Sequence, residues 1–258
     1  MYDDIVELLR RNQIQLEQIS ETSSDGQLDK WKLTKENGEI YYWKAPSILD
    51  GQEMYECEAE CAASELAKLF GMQNVVQYQL VQGVSEITGY NKVCESKDFV
   101  GHNYFYTYAS IINDIAKYHG EEKYNKVIAV NPELQEQINN ILVFDAIIAN
   151  RDRHLNNLAF LDGEDGQKVV LFDNGDSLFS KLTDQGLKFA LNTSFNYSKC
   201  RPFFVTVGKQ LELVKFNSLR PVAFSDVTDI MGMYFKGKRL KVINEWLKLS
   251  IGKVGLLK

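Results

Sequence analysis

The stretch "ANRDRHLNNLAFL", residues 149–161, decides how the rest of the sequence is interpreted. Residues 150–157 include two arginines, one aspartate, one histidine and three asparagines, and they follow the apolar run "ILVFDAII". The spacing of the apolar residues before them predicts a helix that begins near Pro132 and ends near Ala149. A loop rich in hydrogen-bonding groups therefore follows directly on a helix that belongs to the core.

Two strand-like runs, "LAFL" and "KVVLFD", come after this loop and enclose the turn "DGEDG". In an antiparallel hairpin, residues equally distant from the centre of the turn face each other. With the centre near Asp165, Asn157 is predicted to lie opposite Asp173, and Asp152 precedes Asn157 in the same loop. Two carboxylates and an amide oxygen are ligands that suit Mg²⁺.

The same three residues meet the requirements of phosphoryl transfer from ATP. In that chemistry an aspartate accepts the proton of the attacking hydroxyl, while an asparagine and an aspartate hold metal ions against the phosphates. We therefore predict that Asp152 is the catalytic base and that Asn157 and Asp173 are metal ligands. ATP and Mg²⁺ are the expected cofactors.

The first part of the chain predicts an antiparallel sheet followed by a helix. "QIQLEQI", "LDKWKL" and "EIYYWKA" are strand patterns, and the Asn37-Gly38 pair is predicted to supply the positive backbone angles of a tight turn. Apolar residues at helical spacing predict a helix from Glu53 to Phe70, which Gly71 would end. "VVQYQLVQ" and "YNKVCES" are predicted to return to the sheet.

This part of the chain also offers the remaining groups of a kinase site. Lys44 closes the third strand and is expected to hold the ATP phosphates, and Glu60 of the following helix is expected to hold Lys44. Glu56 and Glu58 are alternatives to Glu60. A polar loop from Ser20 to Gly26, which includes Ser23 and Ser24, is expected to cover the phosphates with its N–H groups and hydroxyls.

Beyond about residue 105, helical periodicity prevails, apart from one hairpin near 158–173. The predicted fold class is therefore α+β with two lobes. Residues 1–100 would form a small, antiparallel β-rich lobe with one helix. Residues 101–258 would form a larger, mostly helical lobe that carries the catalytic loop and the metal-binding hairpin.

These motifs, in this order, resemble the HipA-like branch of the protein-kinase-like superfamily, and within it the CtkA-type Ser/Thr kinases. The matching segments are "YYWKAP", "ECAASELAKLFG", "KVCESKDF", "DRHLNN" and "LFDNG". The loop "DRHLNN" is also similar to the D-R-H-x-x-N loop of phosphatidylinositol 3- and 4-kinases. The resemblance implies a protein-kinase-like fold, and transfer of the γ-phosphoryl group of ATP to a Ser or Thr hydroxyl of a protein substrate.

The resemblance has further implications for nucleotide binding and regulation. It implies that "KVCESKDF" is the hinge between the lobes, where Glu95 and Ser96 would bind the nucleotide. In HipA proteins a serine of the covering loop can be autophosphorylated, and here the candidates are Ser20, Thr22, Ser23 and Ser24. HipA proteins also carry an extra N-terminal region, which this chain is too short to contain, so the resemblance leaves an antitoxin partner open.

Several other activities are compatible with parts of the sequence. A small-molecule kinase of the aminoglycoside type and a lipid kinase both share the spacing of Asp152 and Asn157, and a pseudokinase acting as a nucleotide-gated interaction module would share the fold. "GDSL" at 175–178 matches the name of a serine hydrolase family with Ser177 as nucleophile. Such an enzyme needs a downstream histidine, and all histidines of the chain lie upstream.

Composition limits the partners and the compartment. A net charge of −6 and a pI of about 5.3 argue against electrostatic binding to nucleic acid or to acidic membranes. The N-terminus carries acids where a signal peptide carries bases, and no apolar run is long enough to span a membrane. We therefore expect a cytoplasmic protein.

Two further patterns favour structural roles. Cys57 and Cys61 would share a helix face, but no second pair of ligands accompanies them, which favours buried thiols over a zinc site. The segment from Lys236 onward predicts a basic amphipathic helix with Leu240, Ile243 and Leu247 on one face. We expect this helix to close the core of the helical lobe, with a partner surface as the alternative.

Overall fold

The computed structural model describes residues 14–19 and 28–258. The strands of this part are Ile14–Ile19 (β1), Lys30–Lys35 (β2), Ile40–Lys44 (β3), Ile48–Leu49 (β4), Gln52–Glu53 (β5), Tyr78–Gln82 (β6), Lys92–Lys97 (β7), Tyr104–Thr107 (β8), Ala159–Gly163 (β9) and Gly166–Val170 (β10). The helices are Glu56–Leu69 (α1), Ser85–Thr88 (α2), Tyr108–Ile111 (α3), Gly120–Val130 (α4), Gln135–Ile147 (α5), Val207–Leu211 (α6), Phe224–Tyr234 (α7) and Gly237–Lys253 (α8). Short 3₁₀ turns lie at Ile115–Lys117, Pro132–Leu134, Gly186–Phe189 and Phe195–Tyr197.

An antiparallel sheet in the order β1-β2-β3-β7-β6 confirms the strands predicted for the first part of the chain. The turn between β2 and β3 differs from the prediction. Gly38 has a φ of 80° but Asn37 does not have a positive φ, and the Gly38 N–H donates to the Lys35 carbonyl at 2.9 Å. The loop is thus a turn followed by a left-handed glycine, a geometry that needs one positive φ instead of two.

The two faces of this sheet have different functions because side chains alternate along each strand. One face carries a small apolar core of Trp31, Leu33, Trp43, Val81 and Val93. The other face carries Lys44, with Cys94 directly opposite in the register. Helix α1 packs on this second face through Cys57 and Cys61, and all the cysteines of the chain are free and buried.

Helix α1 is buried along most of its length, which fixes the position of its acidic side chains. It begins at Glu56 instead of Glu53 because Gln52–Glu53 pairs with Ile48–Leu49 as a short hairpin. It ends at Leu69, one residue before the predicted end at Phe70, and the φ of 79° at Gly71 allows the Met72 N–H to donate to the Ala67 carbonyl.

The second half of the chain is built around α5, whose buried residues lie on every side of the helix. The hairpin of β9 and β10 is present, and β8 pairs with β9 to complete a sheet in the order β10-β9-β8. The prediction missed β8. This strand has only four residues, and all of them are exposed or half-buried, so it lacks the alternation of buried and exposed positions that marks a strand. No helix within residues 14–19 and 28–258 is long and apolar enough to cross a bilayer.

The C-terminal helices close the core, as the pattern after Lys236 predicts. Ile243, Trp246 and Leu247 of α8 are buried, and the Trp246 indole N–H donates to the Ile147 carbonyl at 2.8 Å. Helices α7 and α8 also reach α1. Tyr234 packs against the cysteine cluster under the sheet, and the Arg239 guanidinium lies 3.8 Å from the ring centre of Tyr55, next to the start of α1.

Candidate active site

Three charged side chains from different elements meet below the sheet. Lys44, the last residue of β3, places its Nζ 2.9 Å from Glu60 Oε1 of α1, and it also pairs with Asp173 Oδ1. Glu58 pairs with Lys92 at 2.5 Å and Glu56 accepts a hydrogen bond from Ser47. Of the three glutamates considered from sequence, Glu60 is therefore the partner of Lys44.

Asp173 is held in a conformation that is uncommon for a residue with a side chain. Its φ is 53°, its N–H donates to the Tyr78 hydroxyl at 3.3 Å, and the next N–H, of Asn174, donates to Glu60 Oε2 at 2.7 Å. Such left-handed residues persist where the surroundings fix them, often at functional sites. Glu60 thus joins Lys44 to the backbone that follows Asp173.

The charges of Lys44 and Asp173 are stable at ordinary pH, whereas burial raises the pKa of Glu60. Burial raises the pKa of Asp173, but the charge and hydrogen bond of Lys44, together with the charge of Arg153, outweigh it, so the pKa lies well below its usual value. Burial lowers the pKa of Lys44, but Asp173 and Glu60 together bring it well above its usual value. The ion pair therefore contributes stability above the ordinary aspartate pKa of about 4 and below the ordinary lysine pKa of about 10.

The loop that carries Asp152 and Asn157 is anchored by Arg153, which is fully buried. Its Nε and Nη2 donate to the two carboxylate oxygens of Asp145, at 2.9 and 3.0 Å. The pKa of Asp145 is raised by burial, and Arg153 lowers it through charge and hydrogen bonds. Asn150 also donates to Asp145, at 2.9 Å, and accepts from the Asp152 N–H at 3.0 Å. A buried pair between Asp145 of helix α5 and Arg153 of the loop thus sets the start of the loop.

Arg153 also joins the loop to the hairpin. Its Nη1 donates to the carbonyls of Asn157, at 3.0 Å, and Phe172, at 2.6 Å. This arrangement agrees with the hairpin register, in which Gly163 pairs with Gly166 and Ala159 with Val170. Extended to the loop, that register sets Asn157 opposite Phe172, so the prediction of Asp173 opposite Asn157 is wrong by one residue.

The structure places Asp152 and Asn157 on the same loop, linked to each other. The Asn157 side-chain Nδ2 donates to the Asp152 carbonyl at 3.2 Å, so a metal would bind its amide oxygen. The Asp152 side chain is 40% exposed, and its Oδ1 accepts from Arg201 Nη1 at 3.1 Å. His154 Nε2 lies 4.0 Å from the other carboxylate oxygen.

The donors fit a magnesium ion with nucleotide phosphates. Asp173 exposes 36% of its side chain, and Asn157 offers an amide oxygen. Within the described residues, no group of three or more His, Cys, Asp or Glu could hold a metal alone. Such a site suits Mg²⁺, which commonly binds through one or two carboxylates while phosphates and water supply the other ligands.

The structure does not support every residue assigned to nucleotide binding. The Glu95 carboxylate lies on the face of the sheet away from Lys44, where it accepts from Trp43 and Gln79, each at 2.8 Å. Side chains point to alternate faces along β7, so Glu95 points away from the face that carries Cys94 and Ser96. The Glu95 side chain is therefore not available to a nucleotide beside Lys44. Ser96 lies on the Lys44 face, opposite Tyr78. The candidates Ser20, Thr22, Ser23, Ser24 and Gly26 lie outside the described residues.

Sequence reasoning missed Asp145 as an anchor, Tyr78, Asn174 and Arg201. An ionisable residue inside the run "ILVFDAII" is a signal that could have identified Asp145, because a buried charge needs a partner. Asn174 Oδ1 accepts from Arg153 Nη2 at 2.5 Å. Arg201 has no local signal, since it is brought to Asp152 from 49 residues away in sequence.

Replacing Arg153 with methionine is expected to lower the free energy of unfolding by about 3–5 kcal/mol, because Asp145 would stay buried without its partner. Arg151→Met is the matched control. Arg151 is 36% exposed and lies 3.8 Å from Asp176, so its loss should cost less than about 1 kcal/mol. Urea denaturation measures both. Adding Asp145→Leu to Arg153→Met should recover part of the loss, and equal losses in the two arginine variants would contradict the anchoring role.

Comparisons with known proteins agree with this geometry. A family model described as HipA-like kinase matches residues 16–191, more than half of the chain. The chain is similar to the Helicobacter pylori proinflammatory kinase CtkA, with 16% sequence identity, a TM-score of 0.66 and coverage of 92% of both chains. It is also similar to HipA of Shewanella oneidensis MR-1, solved with HipB and operator DNA, with 12% identity, a TM-score of 0.49 and coverage of 98% of this chain and 70% of that chain. A comparison with curated proteins gives no match.

Proposed function

The chain belongs to the HipA-like kinase family, and from this premise we propose that it is an ATP- and Mg²⁺-dependent serine/threonine protein kinase. The observation that carries the proposal is the convergence of Lys44, Glu60 and Asp173 next to the loop of Asp152 and Asn157. These five residues come from the sheet, a helix, a hairpin and a loop, and together they match the parts needed for phosphoryl transfer.

The nucleotide would lie between the two proposed lobes, residues 1–100 and 101–258. The five-stranded sheet ends at Lys97 and the three-stranded sheet begins at Tyr104, which supports a boundary near residue 100. Lys44 would hold the phosphates from the upper side, and Glu60 keeps Lys44 in place at 2.9 Å. Ser96, on the same face as Lys44, would line the site beside the nucleotide.

Asp152 would act as the base in the transfer step. Its partly exposed carboxylate would accept the proton of the Ser or Thr hydroxyl as the hydroxyl oxygen attacks the γ-phosphorus. Asn157 and Asp173 would hold Mg²⁺, which neutralises the charge of the phosphates when bound. The Arg153–Asp145 anchor would keep the loop in position, so that little reorganisation is needed during the reaction.

The surface beyond Asp173 supports a large acceptor. Phe189, Tyr197 and Val205 lie on either side of Arg201 in the chain, and each exposes two thirds or more of its surface. An acceptor of small size would call for an enclosed pocket lined by polar groups. Exposed aromatic and aliphatic side chains beside an open base suit a polypeptide chain, so we favour a protein acceptor over a small molecule.

Regulation, partners and compartment follow as further proposals. Autophosphorylation within residues 20–24 would silence the enzyme if the covering loop behaves as in HipA. The net charge of −6 supports an enzyme that binds neither nucleic acid nor acidic membranes, and we propose no antitoxin partner. The free, buried cysteines support action in the reducing cytoplasm.

The proposal is tested by incubating the purified protein with γ-labelled ATP and Mg²⁺, alone and with dephosphorylated casein, followed by mass mapping of the phosphosites. Label on Ser or Thr is the expected result. ATP binding with no label on protein would contradict the protein kinase assignment. Aminoglycosides and phosphatidylinositol vesicles, tested in parallel, would then identify a small-molecule or lipid kinase, and absence of ATP binding would contradict any kinase.

A further inference from the structure

Arg201 contacts the proposed base from a part of the chain that carries no kinase motif. Its Nη1 donates to Asp152 Oδ1 at 3.1 Å, and both side chains are partly exposed, Arg201 at 58% and Asp152 at 40%. An isolated surface ion pair of this kind would contribute little to stability. The position of the pair, at the atom that would take the acceptor's proton, suggests a different purpose.

The loop that presents Arg201 is fixed from below by one buried side chain. Gln210 is 2% exposed, its Nε2 donates to the Arg201 carbonyl at 2.6 Å, and its Oε1 accepts from the N–H groups of Phe203, at 3.1 Å, and Phe204, at 3.4 Å. Phe203 is buried, and its ring lies 5.2 Å from that of Tyr124. The backbone at Arg201 is therefore preorganised, unlike that of an ordinary surface arginine.

Two other cations of the site have anionic partners of their own. Lys44 pairs with Glu60 and Asp173, and Arg153 is buried against Asp145. Among the described residues, Arg201 is the lysine or arginine that contacts Asp152. A base must lie about 2.6–3.2 Å from the hydroxyl that it deprotonates, so a guanidinium bonded to that base is close to the phosphoryl group being transferred.

We propose that Arg201 is a catalytic residue that binds the γ-phosphoryl group during its transfer; the proposal rests on the kinase function proposed above. The acceptor oxygen forms a bond to the γ-phosphorus, the bond from phosphorus to the β–γ bridging oxygen breaks, and ADP leaves with that electron pair. The hydroxyl proton passes to Asp152. Protonation removes the negative charge that held Arg201, and its guanidinium moves its hydrogen bonds to the phosphoryl oxygens.

The planar guanidinium suits this exchange of partners. It can donate two parallel hydrogen bonds to a carboxylate and equally to a phosphoryl group. The arginine that stabilises transferred phosphoryl groups in other phosphotransferases is worth about 10³–10⁵-fold in rate. Arg201 would supply that stabilisation from within the chain, on the acceptor side of the phosphorus, while Lys44 acts on the nucleotide side.

The test compares wild type, Arg201→Gln, Arg201→Lys and Lys199→Gln in single-turnover transfer from γ-labelled ATP to dephosphorylated casein, together with ATP affinity. Arg201→Gln is expected to lower the rate of transfer by at least about 10²-fold and to leave ATP affinity within about twofold. Arg201→Lys should recover part of the rate, since it keeps the charge but loses the paired donors. Lys199 is exposed on the same loop and is the matched control, with a rate within about twofold of wild type.

Three results would overturn the proposal. A rate for Arg201→Gln within about threefold of wild type would show that Arg201 does not touch the phosphoryl group. A faster rate would show that its contact with Asp152 is inhibitory, and a higher KM for casein with unchanged kcat would assign Arg201 to acceptor binding alone. In each case the wild type still transfers phosphate, so the kinase function stands; absence of transfer by the wild type would remove both proposals together.

Discussion

Replacing Asp152 with asparagine is expected to lower the rate of phosphoryl transfer by about 10²–10⁴-fold while ATP affinity stays within about twofold of wild type. The variant keeps the size of the side chain and an oxygen that can accept from Arg201. It loses the carboxylate that is proposed to take the proton of the acceptor hydroxyl. ATP affinity should be preserved because Lys44, Glu60 and Asp173 are unchanged and contact each other independently of Asp152.

Single-turnover transfer from γ-labelled ATP and equilibrium binding of ATP measure these two effects separately. Asp162→Asn is a matched control, because Asp162 lies in the hairpin that follows the Asp152 loop and accepts from Gln167 at 3.0 Å. Its rate should equal that of wild type. Transfer by Asp152→Asn at more than about a tenth of the wild-type rate would show that another group takes the proton.

Replacing Asp173 with asparagine is expected to abolish the dependence of ATP affinity on Mg²⁺ and to lower transfer by at least about 10²-fold. Two changes act together. The site loses a carboxylate that would bind the cation, and Lys44 loses one of its two anionic partners. Because the pKa of Asp173 lies well below its usual value, the aspartate is ionised throughout, and the loss should be the same from about pH 6 to 9.

Titration of Mg²⁺ at fixed ATP, followed by calorimetry, is the direct measurement. Asp176→Asn is the control, since Asp176 lies three residues later, pairs with Lys181 at 3.2 Å and is not proposed as a ligand. The control should keep the wild-type Mg²⁺ dependence. If Asp173→Asn keeps it as well, the assignment of Asp173 as a metal ligand is wrong, whatever happens to the rate.

The sequence predicted the parts of this site that depend on local pattern. Strand alternation located Lys44 at the end of β3, and helical spacing located Glu60, because both patterns reflect burial over a few consecutive residues. The choice among Glu56, Glu58 and Glu60 was open in the sequence, since all three are buried in α1 and the packing against the sheet decides their directions.

Features that depend on a single residue of register or on distant contacts could not be predicted. The turn "DGEDG" allows more than one centre. In the structure Gly163 pairs with Gly166, whose φ is 86°, so the turn has two residues between them. This register places Asn157 opposite Phe172. Glu95 and Ser96 were both assigned to nucleotide binding, but neighbours in a strand point to opposite sides, and the Glu95 carboxylate lies against Trp43. Arg201 reaches Asp152 only through the packing of Gln210 and Phe203.

The packing of α7 and α8 against α1 has a consequence for inhibitors. Outward movement of α1, the helix that carries Glu60, would break its contact with Lys44 and open space for a ligand below the sheet. Here Tyr234 packs beside the cysteines of that helix, and Arg239 lies over Tyr55 at its start, so outward movement would require the C-terminal helices to separate from the core. Compounds that need a displaced helix should therefore bind this enzyme poorly, and selective ligands are better sought around Asp152 and the exposed surface beside Arg201.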